Sequence, residues 1–191
     1  MQEASTRLEI DEALATLGSP AHAAAGGSGA ALAGALAASV VAKAARISAR
    51  AGSAAQAVAL EDRLLRFAEA DAAVLGEARA ALEQHRSEEP EGDSRRDYEL
   101  GTALRRALLV PCSIGEACAD VAELAAEERE TVAPDYRADL AAAAAIAAGA
   151  AHAAAHLVSV NLIATPDDAD VVAARRFAAR ATAVAGLFGA L

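Results

Sequence analysis

Apolar positions recur every three or four residues along most of the chain, a spacing that predicts helices almost throughout. Leu8, Ile10, Ala13, Leu14 and Leu17 make the apolar face of a short helix over residues 5–17, ended by Gly18. Residues 19–28 (SPAHAAAGGS) read as a loop, and Ser28 is placed to cap a second helix reaching about residue 51. That helix carries no charge before Lys43 and is apolar all round, so it is predicted to run through the centre. Gly52 and Ser53 mark a break. A third helix to about His85 then shows the stripe Leu60, Leu64, Phe67, Asp71, Val74, Leu75, Ala78 and Leu82. After a polar loop at 87–94, a fourth helix starts near Ser94 and meets Pro111. The missing amide and the ring clash predict a kink or break there, with helix resuming from Cys112 to about Glu128. A linker around Pro134 leads to an uncharged helix from Asp139 to about residue 162. Thr165-Pro166-Asp167-Asp168 reads as the start of the last helix: a Thr cap, Pro in the first turn, and two acids at the positive helix end.

Composition sharpens this to an all-α, up-down bundle of about six helices with a Gly-rich loop before the second helix, one domain over the 191 residues. About a third of the chain is alanine, the best helix former, and aromatic residues are few. Alanine buries little area, so close helix approach or a subunit interface must compensate, and a homodimer is expected. The net charge of -10 and the absence of a Lys/Arg stripe argue against nucleic acid as a partner. The polar, acidic start (Glu3, Glu9, Asp11, Glu12) does not read as a signal peptide, which makes the expected location cytoplasmic. From Leu140 to Thr165 there is no Asp, Glu, Lys or Arg, a stretch long enough to span a bilayer. It is mostly alanine with Gly149, His152, His156, Ser159 and Asn161, which favours the buried helix of a soluble bundle over a membrane span. Cys112 and Cys118 fit small buried hydrophobes better than a redox pair.

A few residues carry candidate chemistry. Gly26 and Gly27, feeding a helix N-terminus, offer open backbone N–H groups to an anion or polar ring; the competing reading is a tight turn between closely packed helices. Asp71 is a lone acid on the apolar stripe of its helix, which asks for a partner, either at a site or in a rim ion pair. Lys43, Arg46 and Arg50 share one helix face and could hold carboxylates or simply pair with surface acids. His152 and His156 lie at i,i+4, and His22 sits in the Gly loop. No Glu or Cys completes a zinc site beside the pair, so polar lining of a pocket or interface is expected and no metal.

The order of these segments resembles the cyclodeaminase/cyclohydrolase family, which includes the ammonia-lyase half of formiminotransferase-cyclodeaminase and a bacterial methenyltetrahydrofolate cyclohydrolase. Ser19-Pro20, then Gly26-Gly27-Ser28, then Ala30-Ala31-Leu32-Ala33-Gly34-Ala35-Leu36 follow that family's Gly-rich loop and helix. Asp71 matches an acid of the long helix. Val110-Pro111, Ile114 and Cys118 match a Val-Pro-x-x-Ile-x-x-x-Cys stretch. Asp139 matches the Asp of a Ser-Asp pair, and Val158, Val160, Asn161 and Leu162 match a Val-x-Ile-Asn-Leu ending. The chain departs from the pattern at Ala24, Ala25 and Gly29, at Ala138, at Leu157 where the family has Asn, and at Arg50-Ala51-Gly52-Ser53, which replaces a basic stretch.

The resemblance implies a helical, dimeric protein holding a tetrahydrofolate derivative as substrate, without a metal, near the Gly loop. The implied reaction is cyclodeamination of 5-formimino-tetrahydrofolate, or hydration of the 5,10-methenyl carbon, and both need a proton shuttle. Asp139 is the first candidate for that role, against a plain helix N-terminal acid; Asp71 and His156 follow. Gly26, Gly27, Ser28, His22, His152 and Asn161 are the implied ligand contacts, with Lys43, Arg46 and Arg50 for the glutamate tail. The departures leave two other readings: a binding or assembly protein that lost folate chemistry, or a relative recruited to another cyclisation.

Overall fold

The computed structural model describes residues 11–20, 26–87, 94–161 and 163–189. Residues 11–18 form a first helix, α1; the rest of the segment expected at 5–17 lies outside the described residues, as does His22. Five longer helices follow: α2 (Gly26–Ile47), α3 (Ala51–Ser87), α4 (Ser94–Glu128), α5 (Arg137–Ser159) and α6 (Ala169–Gly186), with a 3-10 turn at Pro134–Tyr136. No strand occurs among the described residues, and the all-α fold stands.

Helices α2, α3, α4 and α5 alternate in direction and close into a ring, because α5 packs back onto α2; α6 lies along α4 and α5. The core is built from very small side chains. Ala31, Ala37, Ala38, Ala117, Ala143, Ala147 and Ala151 are fully buried, punctuated by Leu64, Leu108, Ile114 and Leu140. Such residues gain little each from burial, and the backbones must approach closely instead. Gly34 shows how far this goes. A Cβ there would sit 2.6 Å from Cys118 Sγ and 3.1 Å from Leu64 Cδ1, so only glycine lets α2 approach α4 across the ring.

Several boundaries differ from the sequence reading. Gly26 and Gly27 belong to the first turn of α2 rather than to a loop. The break after α2 falls at residues 48–50, not at Gly52-Ser53. Ala49 takes a left-handed φ of 57°, with Arg50 N–H donating to Ala45 O (2.8 Å) and Ala49 N–H to Arg46 O (3.1 Å). This is the two-bond helix stop in which glycine is the usual left-handed residue, so its alanine gave no signal. Helix α4 continues through Pro111 without a break, since one lost backbone bond is outweighed by burial of the flanking Leu108, Cys112 and Ile114. The last helix starts at Ala169, not Thr165: Thr165 O accepts Asp168 N–H in a preceding turn, and the Asp168 carboxylate caps Asp170 N–H (3.0 Å).

A buried carboxylate pins the far end of the ring. Glu128, 3% exposed, accepts hydrogen bonds from Arg50 Nε (3.1 Å), Ser53 Oγ (2.5 Å) and Thr131 Oγ1 (2.9 Å). Burial alone pushes this carboxyl up, but the hydrogen bonds from Arg50, Ser53 and Thr131, with the Arg50 charge, hold it below the usual 4.5.

Helix α2 and the 3-10 turn with α5 (residues 134–159) are each long and apolar enough to cross a bilayer by length and composition. About half of each apolar window, 56% and 50%, is buried inside the bundle.

Candidate functional site

Helix α3 outruns α2, and α4 outruns α5, so the α3–α4 pair extends beyond the point where α2 begins and α5 ends. A cleft of about 250 Å³ opens at that step. The start of α2 supplies Gly26 and Gly27. One stripe of α3 supplies Asp71, Leu75, Ala78, Arg79 and Leu82. Leu104, Ala107 and Pro111 come from α4, and Leu157, Val160 and Asn161 from the end of α5 and the residues after it.

Asp71 organises the floor. It is 5% exposed, and its Oδ2 accepts the backbone N–H of Ser28 (2.8 Å) and the Ser28 hydroxyl (3.3 Å). The same hydroxyl donates to Ala68 O (2.8 Å). A carboxylate from α3 thus satisfies a donor in the first turn of α2 and complements its positive end. Gly27 is the matching surface: a Cβ there would overlap the Asp71 carboxylate. The Gly-rich turn therefore cradles an anion, but the anion at Ser28 N–H is the protein's own.

The walls are mainly hydrocarbon, from Leu75, Leu82, Leu104, Pro111, Leu157 and Val160. Leu157 lies directly under Gly26, where an added Cβ would be 3.3 Å from Leu157 Cδ2. Asn161 donates to Leu104 O (3.4 Å) and accepts Ile163 N–H (3.2 Å), which ties the chain after α5 to α4. Pro111 has no N–H for the Ala107 carbonyl one turn back, and both residues line the cleft. The ordinary helical donor to that carbonyl is gone on the side where a ligand would sit.

Of the sequence-predicted site residues, Gly26, Gly27, Asp71 and Asn161 meet here, with Ser28 just behind. The others do not. Asp139 is half-buried in the first turn of α5, 18 residues from Leu157 and so roughly 27 Å away along the helix. Lys43 and Arg46 lie toward the opposite end of α2, and Arg50 falls after the left-handed stop at Ala49, so the three do not form the single helix face expected. Lys43 stacks over Tyr136 (5.9 Å) and Arg50 pairs with Glu128 (3.1 Å). His152 and His156 are exposed on the side of α5 facing α6, where His152 Nε2 meets Thr182 Oγ1 (2.7 Å). A helix that turns 100° per residue separates these histidines from Leu157, although it follows His156 directly in sequence.

Sequence reasoning did not pick out Arg79. Its signal was present: eight residues after Asp71 and four after Leu75, it continues the same stripe. No cluster of His, Cys, Asp and Glu suited to a metal occurs among the described residues. Both thiols are buried. Burial first, then Asp170 and Glu116, pushes Cys112 up to about 11; burial first, then Asp120, pushes Cys118 up to about 12.

The described residues form an Ala-rich helical bundle with an apolar-walled cleft of about 250 Å³ at the step. A family model described as formiminotransferase-cyclodeaminase matches residues 9–180, and the chain belongs to that family. Its fold is similar to the crystal structure of formiminotetrahydrofolate cyclodeaminase from Thermotoga maritima, with a TM-score of 0.76 at 15% identity, over 94% of this chain and 90% of that one. No curated protein matches the chain.

Proposed function

We propose that this protein binds a tetrahydrofolate derivative in the cleft and acts on its one-carbon unit, by cyclodeamination or by the related methenyl hydrolysis. The observation that supports the reading is the meeting of Gly26, Gly27, Asp71 and Asn161, drawn from three separate stretches, around one cavity. A volume of about 250 Å³ is below that of most sites for whole drug-sized molecules, so a ring system fits inside and the rest projects past the rim. The leucines exclude water from the ring. In cyclodeamination Asp71 takes the proton of N10 as N10 bonds to the formimino carbon and returns it to the ammonia that leaves; in hydrolysis it takes a proton from the water that bonds to the methenyl carbon and returns it to the nitrogen whose bond to that carbon breaks. Asp139 and His156 lie outside the cleft and have no step in this reading.

A second reading is favoured by Asp71 being already engaged by Ser28 and by hydrocarbon at Leu157: the cleft binds folate without turning it over. One experiment separates the two. Purified protein is added to 5,10-methenyl-tetrahydrofolate and its near-ultraviolet absorbance followed against buffer, beside a thermal-shift titration. Catalysed loss supports the enzyme. A thermal shift without loss supports the binder, and no response to any folate refutes both.

The same proposal includes a cytoplasmic homodimer. The outward positions of α2 and α5 include Leu36 (59% exposed), Ala145 and Gly149, on stretches without Asp, Glu, Lys or Arg, as a face covered by a second copy would. A monomer mass by light scattering would refute it.

A further inference from the structure

The cleft lining has one charged group besides Asp71, and no described residue forms an ion pair with it. Arg79 lines the cavity from α3. Some arginines of α3 and α4 pair with acids, Arg63 with Glu116 (2.6 Å), Arg105 with Asp170 (2.6 Å) and Arg106 with Glu77 (3.2 Å); Arg66 and Arg86 of α3 form no ion pair among the described residues, but they do not line the cavity. Arg79 has Glu83 one turn ahead yet forms no ion pair with it or with any other described residue. In a chain of net charge -10, an arginine left unpaired beside an apolar cavity is a group awaiting an anion. Its place fixes the reach. Eight residues at 1.5 Å put it roughly 12 Å along α3 from Asp71, at the other end of the stripe formed by Leu75 and Ala78.

We propose that Arg79 anchors a carboxylate of the ligand, so that the site takes an elongated organic anion: ring against Asp71 and Asn161, apolar middle along Leu75 and Ala78, carboxylate at Arg79. This rests on the folate reading for the identity of the ring, and it transfers the tail-binding role from Lys43, Arg46 and Arg50 to Arg79. The guanidinium fork suits a carboxylate in a paired geometry that a lysine ammonium reproduces only in part.

The test uses the full chain, wild type, Arg79→Met and Arg79→Lys, with three probes in calorimetric titration: 5-formyl-tetrahydrofolate, a tail-free tetrahydropterin, and 2-naphthoate as a ring acid without a pterin. Arg79 is exposed, and unchanged thermal unfolding of the variants confirms that they fold. The expected result is a loss of roughly three- to tenfold in affinity for the tailed folate in Arg79→Met, partial recovery in Arg79→Lys, and no change for the tail-free pterin. Added salt should weaken the tailed ligand in wild type and leave Arg79→Met unaffected. Equal loss for both pterins, or none for the tailed one, overturns the anchor while the folate reading stands. Binding of naphthoate that depends on Arg79, with neither pterin bound, upholds the anchor and overturns the folate reading. No binding of any probe overturns both.

Discussion

Asp71 and Gly27 interlock, and their coupling can be read from stability alone. Replacing Asp71 with Ala removes the acceptor of the buried Ser28 N–H. An orphaned buried donor costs about 1–3 kcal/mol, and losing a carboxylate at the positive end of α2 adds about 0.3–1 kcal/mol. The expected destabilisation is about 1.3–4 kcal/mol. Gly27→Ala puts a methyl where the Asp71 carboxylate lies and pushes it off Ser28. Overpacking of this kind costs about 1–3 kcal/mol, partly offset by the gain of about 1 kcal/mol for Ala over Gly in a helix. In the Asp71→Ala background the new methyl enters the vacated space, and Gly27→Ala becomes neutral or mildly stabilising. The double-mutant cycle should therefore show a coupling of about 2 kcal/mol. Urea unfolding followed by helical circular dichroism, at one fixed protein concentration, resolves this. With a slope of about 2 kcal/mol per molar, Asp71→Ala shifts the midpoint down by roughly 0.7–2 M. Additive effects of the two substitutions, or an Asp71→Ala midpoint within about 0.2 M of wild type, would refute the reasoning.

Four further outcomes are expected. Gly34→Ala should lower stability by about 1–2 kcal/mol through overlap with Cys118 and Leu64, and Cys118→Ala should relieve most of it; an unaffected melting temperature for Gly34→Ala counts against the close α2–α4 approach. Ala49→Gly should raise stability by about 0.5–1 kcal/mol, because glycine carries no penalty at a left-handed φ of 57°; a melting temperature at or below wild type contradicts the helix-stop assignment. Glu128 has its carboxyl held below 4.5, so its contribution is fully present above that pH and is lost as pH falls through the lowered value; Glu128→Gln should cost about 1–3 kcal/mol at neutral pH and progressively less under acid, and a pH-independent difference would count against it. With thiols pushed up to about 11 and 12, Cys112 and Cys118 should resist alkylation at mildly alkaline pH until the chain is unfolded, and rapid modification of the native protein would contradict their burial.

The local pattern of side chains was enough to determine the helices, because a 3.6-residue period and an alanine-rich backbone leave little alternative, and the ordered motifs pointed to the right family. Asp71 stood out for a physical reason visible in one dimension, an acid on an apolar stripe. What one dimension could not hold was the step in the bundle. Where α2 starts and α5 stops against the longer α3–α4 pair depends on helix lengths and register, which set Asp71 opposite Gly27 and leave Asp139 roughly 27 Å from Leu157. Asp139, His156 and Lys43 had plausible chemistry at plausible spacings, yet helix direction carried them to other faces and ends. Arg79 was passed over for the converse reason: its neighbours in sequence are ordinary, and its environment is made by Leu104, Pro111 and Leu157, which reach it only after the chain has folded back on itself twice.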